Sequence, residues 1–140
     1  VCSSDLCGGV LRYMLQYSGL GEVIGDAVSS ANLPIVVVAF VVAALVRISV
    51  GSSTVAMTMA AGIVAALPGI AELSLLYLAC TTAAVAGGAT VCSHFNDSGF
   101  WLVKSLVGMD EKTTLKTWTI METLVGVTGF IVALIISMFA

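Results

Sequence analysis

Leu33-Pro-Ile-Val-Val-Val-Ala-Phe-Val-Val-Ala-Ala-Leu-Val-Arg-Ile-Ser49 is an apolar run in which Arg47 is the first charge after Asp26. At 1.5 Å per helical residue, about 20 apolar residues cross the hydrocarbon core of a bilayer. Asn32 offers a cap, and Pro34 lacks an N–H that a helix start leaves unpaired anyway, so the pattern predicts a span over 33–49. The stretches from Arg47 to Glu72 and from Glu122 to the end are equally free of charge. A buried helix of a soluble protein explains one such gap; several in 140 residues leave no amphipathic element to meet water.

Composition agrees. The chain is 59% hydrophobic and 9% charged, with a mean hydropathy of +1.13, where soluble domains carry about 25% charged residues. The expected fold is an all-α integral membrane protein with spans at about 33–49, 55–71, 72–92 and 118–139. The opening Cys7–Ser30, rich in glycine and carrying Arg12, Glu22 and Asp26, reads as a partial helix followed by a surface helix. Val1 to Tyr13 lacks the ordered parts of a secretory signal, and residues 1–6 read as a truncated or non-native start.

Two polar interruptions break the apolar text. The first, Ile48-Ser-Val-Gly-Ser-Ser-Thr54, predicts two half-length helices flanking an unwound tip. The second, Ser93-His-Phe-Asn-Asp-Ser-Gly99, follows a span in which Ala79, Ala83 and Gly87 form a stripe that admits a neighbouring helix. Gly87-Gly88-Ala-Thr90 is a weak place for that span to continue. An amphipathic Phe100–Gly108 and a charged loop, Met109–Lys116, complete the pattern. Trp101 and Trp118 bracket the loop as headgroup-level aromatics, and Lys104, Lys112 and Lys116 favour its lying in the cytoplasm.

Candidate site residues fall in these breaks. Gly51, Ser52, Ser53 and Thr54 place hydroxyls and backbone groups where lipid cannot satisfy them, so they line a polar cavity or bond back to helix carbonyls. A half-helix starting near Thr54 or Val55 presents N–H groups and partial positive charge suited to a carboxylate. His94, Asn96, Asp97 and Ser98 form a denser polar cluster, a proton or substrate pathway at membrane depth and a solvated loop at the interface. Histidine's ordinary pKa of about 6.5 suits proton exchange near neutrality. Arg47 faces an anionic substrate or snorkels to the headgroups, and snorkelling is the expectation.

Other classes fare worse. Cys2, Cys7, Cys80 and Cys92 show no C-x-x-C pair or matching histidine, so no metal or redox centre is expected and no cofactor. A net charge of −3 without a basic patch disfavours nucleic acid. Ser52 or Ser53 with His94 and Asp97 nominally composes a hydrolytic triad, but the Gly-x-Ser-x-Gly elbow is absent and an enzyme is not expected. A small membrane subunit that only packs through its small-residue stripe is the non-catalytic alternative.

Arg47-Ile-Ser-Val-Gly-Ser-Ser-Thr-Val-Ala-Met57, Ala60-Ala-Gly-Ile63, Cys92-Ser-His-Phe-Asn-Asp-Ser-Gly-Phe-Trp-Leu-Val-Lys104 and Lys116-Thr-Trp-Thr-Ile-Met-Glu-Thr123 resemble the gluconate permease family of proton symporters. The resemblance covers Cys7 to Ala140, although a small residue is usual where Cys7 stands. It implies that residues 7–140 are the C-terminal membrane portion of a longer permease of a bacterial inner membrane. Its fold would be an inverted-repeat ion-transporter fold with re-entrant helices. It implies gluconate or a related small carboxylate as substrate, with idonate and D-serine as alternatives. Gly51, Ser52, Ser53, Thr54, Asn96 and Ser98 would bind substrate, and His94 and Asp97 would couple protons. The implied partners are protons, the bilayer, the missing N-terminal half and, as an option, a second copy in a homodimer.

Overall fold

The computed structural model describes residues 10, 13, 14, 17–19, 33–67 and 69–140. The expectations for residues 1–6, for Cys2, Cys7 and the Asn32 cap, and for nearly all of 7–30 lie outside the described residues. Within them the chain is all helical: α1 (Ile35–Val50), α2 (Ser53–Ala65), a 3-10 turn (Ile70–Glu72), α3 (Leu75–Thr90), α4 (Ser98–Val107) and α5 (Glu111–Ser137).

Each boundary has a local cause. Pro34 stands at the start of α1, and Gly51 ends it in the left-handed region at φ 80°, its N–H donating to the Arg47 carbonyl at 2.9 Å. Ser52 and Ser74 cap α2 and α3 by accepting from Val55 N and Tyr77 N. Gly108, at φ 72°, closes α4. The first break is therefore shorter than expected, since only Gly51 and Ser52 separate α1 from α2. The charged loop shortens too: Glu111 to Lys116 are already helical, and a π-helical turn at Leu115–Thr119 leads into the apolar part of α5.

Lengths sort the helices. At 1.5 Å per residue α1 and α3 reach about 24 Å and α2 about 20 Å, short of a core of about 30 Å. Among the described residues only α5 is long and apolar enough to cross a membrane alone. Its outward face carries Leu124, Val125, Ile131, Val132 and Ile135 to the exterior, and α1 exposes Val41 and Leu45 in the same way. Water would penalise such faces; lipid or further apolar helices would not.

α3 is the centre. α1 and α5 both pack against it and touch each other, and α2 flanks both α1 and α3. The core is mostly small: Ala39 and Ala43 of α1, Ala56 and Ala60 of α2, Ala84 and Ala89 of α3 and Ala133 of α5. Where lipid removes the hydrophobic drive, close packing of such residues holds helices together. Gly87 and Gly88, the expected weak point, lie inside α3 and are its tightest contacts. A Cβ on Gly87 would stand 2.7 Å from the Gly126 carbonyl of α5, and one on Gly88 would be 2.8 Å from the Ala43 Cβ of α1 and closer still to the Phe40 carbonyl. Phe40 and Phe130 stack at 4.2 Å beside this junction.

The stripe's other members behave differently: Ala79 and Ala83 are exposed and line an open apolar groove between α3 and α5 of about 240 Å³. Substitution should follow this division. Gly88→Val, meeting the Phe40 carbonyl and the Ala43 Cβ of α1, is expected to cost at least the ~1–3 kcal/mol typical of overpacking. Gly129→Ala, with nothing within 4 Å, should be neutral. Thermal unfolding midpoints of the two purified variants in detergent test this, and equal midpoints would contradict the packing described.

Candidate functional site

The two polar breaks, separate in sequence, meet in space. Asn96 donates from Nδ2 to the Ile48 carbonyl at 2.9 Å, and Gly51 lies against the Asn96 backbone so closely that a Cβ there would overlap it. This contact and the positive φ both demand glycine at position 51.

Arg47 joins the breaks by charge. Its Nη2 pairs with Asp97 Oδ2 at 2.5 Å, and its Nη1 donates to the Gly51 carbonyl. Arg47 is 2% exposed and Asp97 8% exposed. The expected snorkelling is thus overturned: the guanidinium turns inward because a buried carboxylate and a helix-end carbonyl offer it partners that lipid would not. Arg47 Nε is left without a partner and is the sole buried side-chain polar atom so placed among the described residues.

Asp97 is densely satisfied. Besides Arg47 it accepts from Ser93 Oγ at 2.5 Å and, through Oδ1, from Gly99 N at 2.9 Å, capping α4. Ser93 is itself held from α5, whose Trp118 Nε1 donates to its Oγ at 3.0 Å and whose Thr119 Oγ1 donates to its carbonyl. Consecutive residues of a regular helix point about 100° apart; the π-helical turn is where these two both reach Ser93, as such turns often do at functional sites. Trp118 is therefore a ligand of the polar cluster, a correction to its reading as a headgroup anchor. Trp101 stays half-exposed, its ring 5.1 Å from the Lys104 ammonium and its Nε1 bonded to the Phe95 carbonyl.

The remaining candidates divide. Ser52 caps α2, while the hydroxyls of Ser53, Thr54 and Ser98 make no hydrogen bond among the described residues, with Thr54 and Ser98 exposed. Back-bonding does occur one turn later, at Thr58 to the Thr54 carbonyl. His94 is half-buried and its Nδ1 lies 2.8 Å from the Cys92 carbonyl. A carbonyl only accepts, so Nδ1 carries the proton. With Asp97 held by Arg47 and His94 turned to its own backbone, no Ser–His–Asp relay forms. The sequence reading missed Ser93, Trp118 and Thr119 as site residues; the signal available was Ser93 heading the polar break and the Lys116–Thr123 text.

The arrangement is a neutral pair of buried opposite charges beside the start of α2. Removing one partner of such a pair costs about 3–5 kcal/mol, because the other charge stays buried alone. Asp97→Asn, which can still cap α4, should thus be strongly destabilising in thermal unfolding, and Arg47→Met combined with it should recover much of the loss. A double variant no more stable than the single would show that the two side chains are not paired.

Comparison with known proteins places the chain. A family model described as "GntP family permease" matches residues 6–139. The low-affinity gluconate transporter of Escherichia coli K12 is 45% identical over 91% of the chain, and the gluconate permease of Pseudomonas aeruginosa is 42% identical over 94%. The Gnt-II system L-idonate transporter of Escherichia coli K12 is 35% identical over 93%. In each case the chain spans 29% of the relative's length. No solved structure matches. A match over nearly the whole chain, in relatives that are transporters and not enzymes, leads to one assignment: the chain belongs to the GntP permease family.

Proposed function

We propose that this chain is the C-terminal part of a longer multi-pass permease of a bacterial inner membrane, which takes up gluconate or a related sugar acid together with protons. The observation that carries the reading is the joining of two polar breaks by the buried Arg47–Asp97 pair, beside a helix start where the Ser53 and Thr54 hydroxyls are uncommitted. The identity to gluconate and idonate transporters supports the substrate class.

In this reading Gly51, Ser52, Ser53 and Thr54, with Asn96 and Ser98, contact the substrate. The first N–H groups of α2 and the open hydroxyls of Ser53 and Thr54 offer donors to a carboxylate, and the helix dipole favours its charge. The charge cluster around Asp97, with His94 nearby, binds the proton. The missing spans supply the rest of the site, and an inverted-repeat arrangement with rocking of the broken helices gives alternating access. A second copy in a homodimer belongs to the same proposal. D-serine and L-idonate are the alternative substrates, separated by competition against labelled gluconate.

Uptake of labelled gluconate by vesicles carrying the full-length protein tests the reading. Uptake should rise with an inward proton gradient and collapse with a protonophore. Ser53→Ala and Thr54→Val should raise KM about tenfold, as one or two lost charge-assisted hydrogen bonds would. Uptake indifferent to the gradient sinks the coupling. Unaltered transport in both variants, with loss in Ala83→Leu, would instead favour a subunit that acts by packing alone.

A further inference from the structure

Asp97 is a poor place to land a proton. Three donors converge on it, one of them a buried guanidinium, and each favours the ionised form. Protonation there would also strand Arg47, whose only carboxylate partner it is among the described residues. A proton taken up during transport is better carried by a carboxylate that lacks donors, is shielded from water and still feels the charge of the site.

Glu122 meets these conditions. It lies on α5 one turn beyond Trp118 and Thr119, on the face that grips Ser93, and the next residue, Thr123, accepts from Cys92 N at 3.1 Å. Glu122 is half-buried and makes no hydrogen bond or ion pair among the described residues. The charged groups of the site it adjoins are Asp97, bonded to the Ser93 that Trp118 and Thr119 hold, and Arg47 paired with Asp97. His94 and Cys92 are titratable groups of the loop, and α4, which packs against the start of α5, carries Lys104, paired with Glu111. α3, against which α5 packs, carries only Tyr77 and Cys80, about 15 Å or more along the helix from Thr90. On α5 itself the nearest cation is Lys116, more than a turn back and exposed.

We propose that Glu122 is the carboxylate that takes up the transported proton, while Asp97 stays ionised on Arg47. This rests on the proton-symport reading and assigns its proton site. With Glu122 ionised, Arg47, Asp97 and Glu122 sum to one negative charge and repel a substrate anion. With Glu122 protonated the cluster is neutral, and the unpartnered Nε–H of Arg47 and the start of α2 are left to attract a carboxylate. Proton and anion then bind together because each lowers the other's electrostatic cost, and the coupling is reciprocal. No bond other than O–H on Glu122 is made or broken.

Glu122→Gln, which fixes the neutral form, separates coupling from binding. Vesicles carrying the full-length protein are assayed for gradient-driven accumulation of labelled gluconate and for gradient-independent exchange of labelled for unlabelled gluconate. The variant should lose accumulation by about tenfold or more, the scale of a typical coupling. It should still exchange, and should do so at alkaline pH where the wild type declines. Glu122→Asp, still ionisable, should accumulate with a displaced pH profile. Accumulation at the wild-type level in Glu122→Gln, or an unchanged profile in Glu122→Asp, overturns this assignment alone. Wild-type exchange without any gradient-driven accumulation overturns the symport reading, and the assignment with it.

Discussion

A guanidinium that is 2% exposed must have a carboxylate, and much of this molecule is arranged to supply one. Arg47 sits at the end of α1 and Asp97 at the start of α4, fifty residues apart. Bringing them together sets where the second polar break lies against the first. It also sets why Gly51 has no room for a side chain and why Asn96 bonds to the end of α1. Ser93, Trp118 and Thr119 then hold the loop from the other side, so that α5 is tied to the same point. A polar network of this kind is stable only when nearly every member is satisfied, which makes the one exception, Arg47 Nε, informative.

The helices around the pair obey a different rule. α3 holds α1 and α5 through glycines and alanines, and the contacts at Gly87, Gly88 and Gly126 are closer than any side chain permits. The closest helix contacts, at Gly87, Gly88 and Gly126, lie at the end of α3 nearer the site, while an open groove by Ala79 and Ala83 lies toward its other end. The charged cluster thus stands at the tightly held end. A site that must distinguish charge states gains from such rigidity, because fixed dipoles do not relax to screen a new charge.

Three charges, not two, share that end. The polar text of the two breaks drew attention to Asp97 and His94, but hydrogen bonding commits both: Asp97 to Arg47, His94 through Nδ1 to its own backbone. Glu122 stands uncommitted on the face of α5 that reaches the loop. Being free of partners, and not merely being acidic, distinguishes a group able to change protonation from one that holds the fold together.

Residue order by itself determined the class of this protein, since uncharged gaps of bilayer length, glycine and hydroxyl breaks and the family's polar text are all local properties of the chain. It also located both breaks, the Ser52 position and the residues of the second cluster. What it left open was direction. Whether Arg47 turns to the headgroups or inward depends on a carboxylate fifty residues away, and local spacing carries no trace of that distance. Gly87-Gly88 read as a weak helix end because local propensity penalises glycine, whereas the tertiary structure keeps the helix running and uses the missing side chains to admit two neighbours. Trp118 read as an interfacial anchor because indole suits a headgroup, and only the path of α5 past Ser93 decided that its N–H serves the polar cluster.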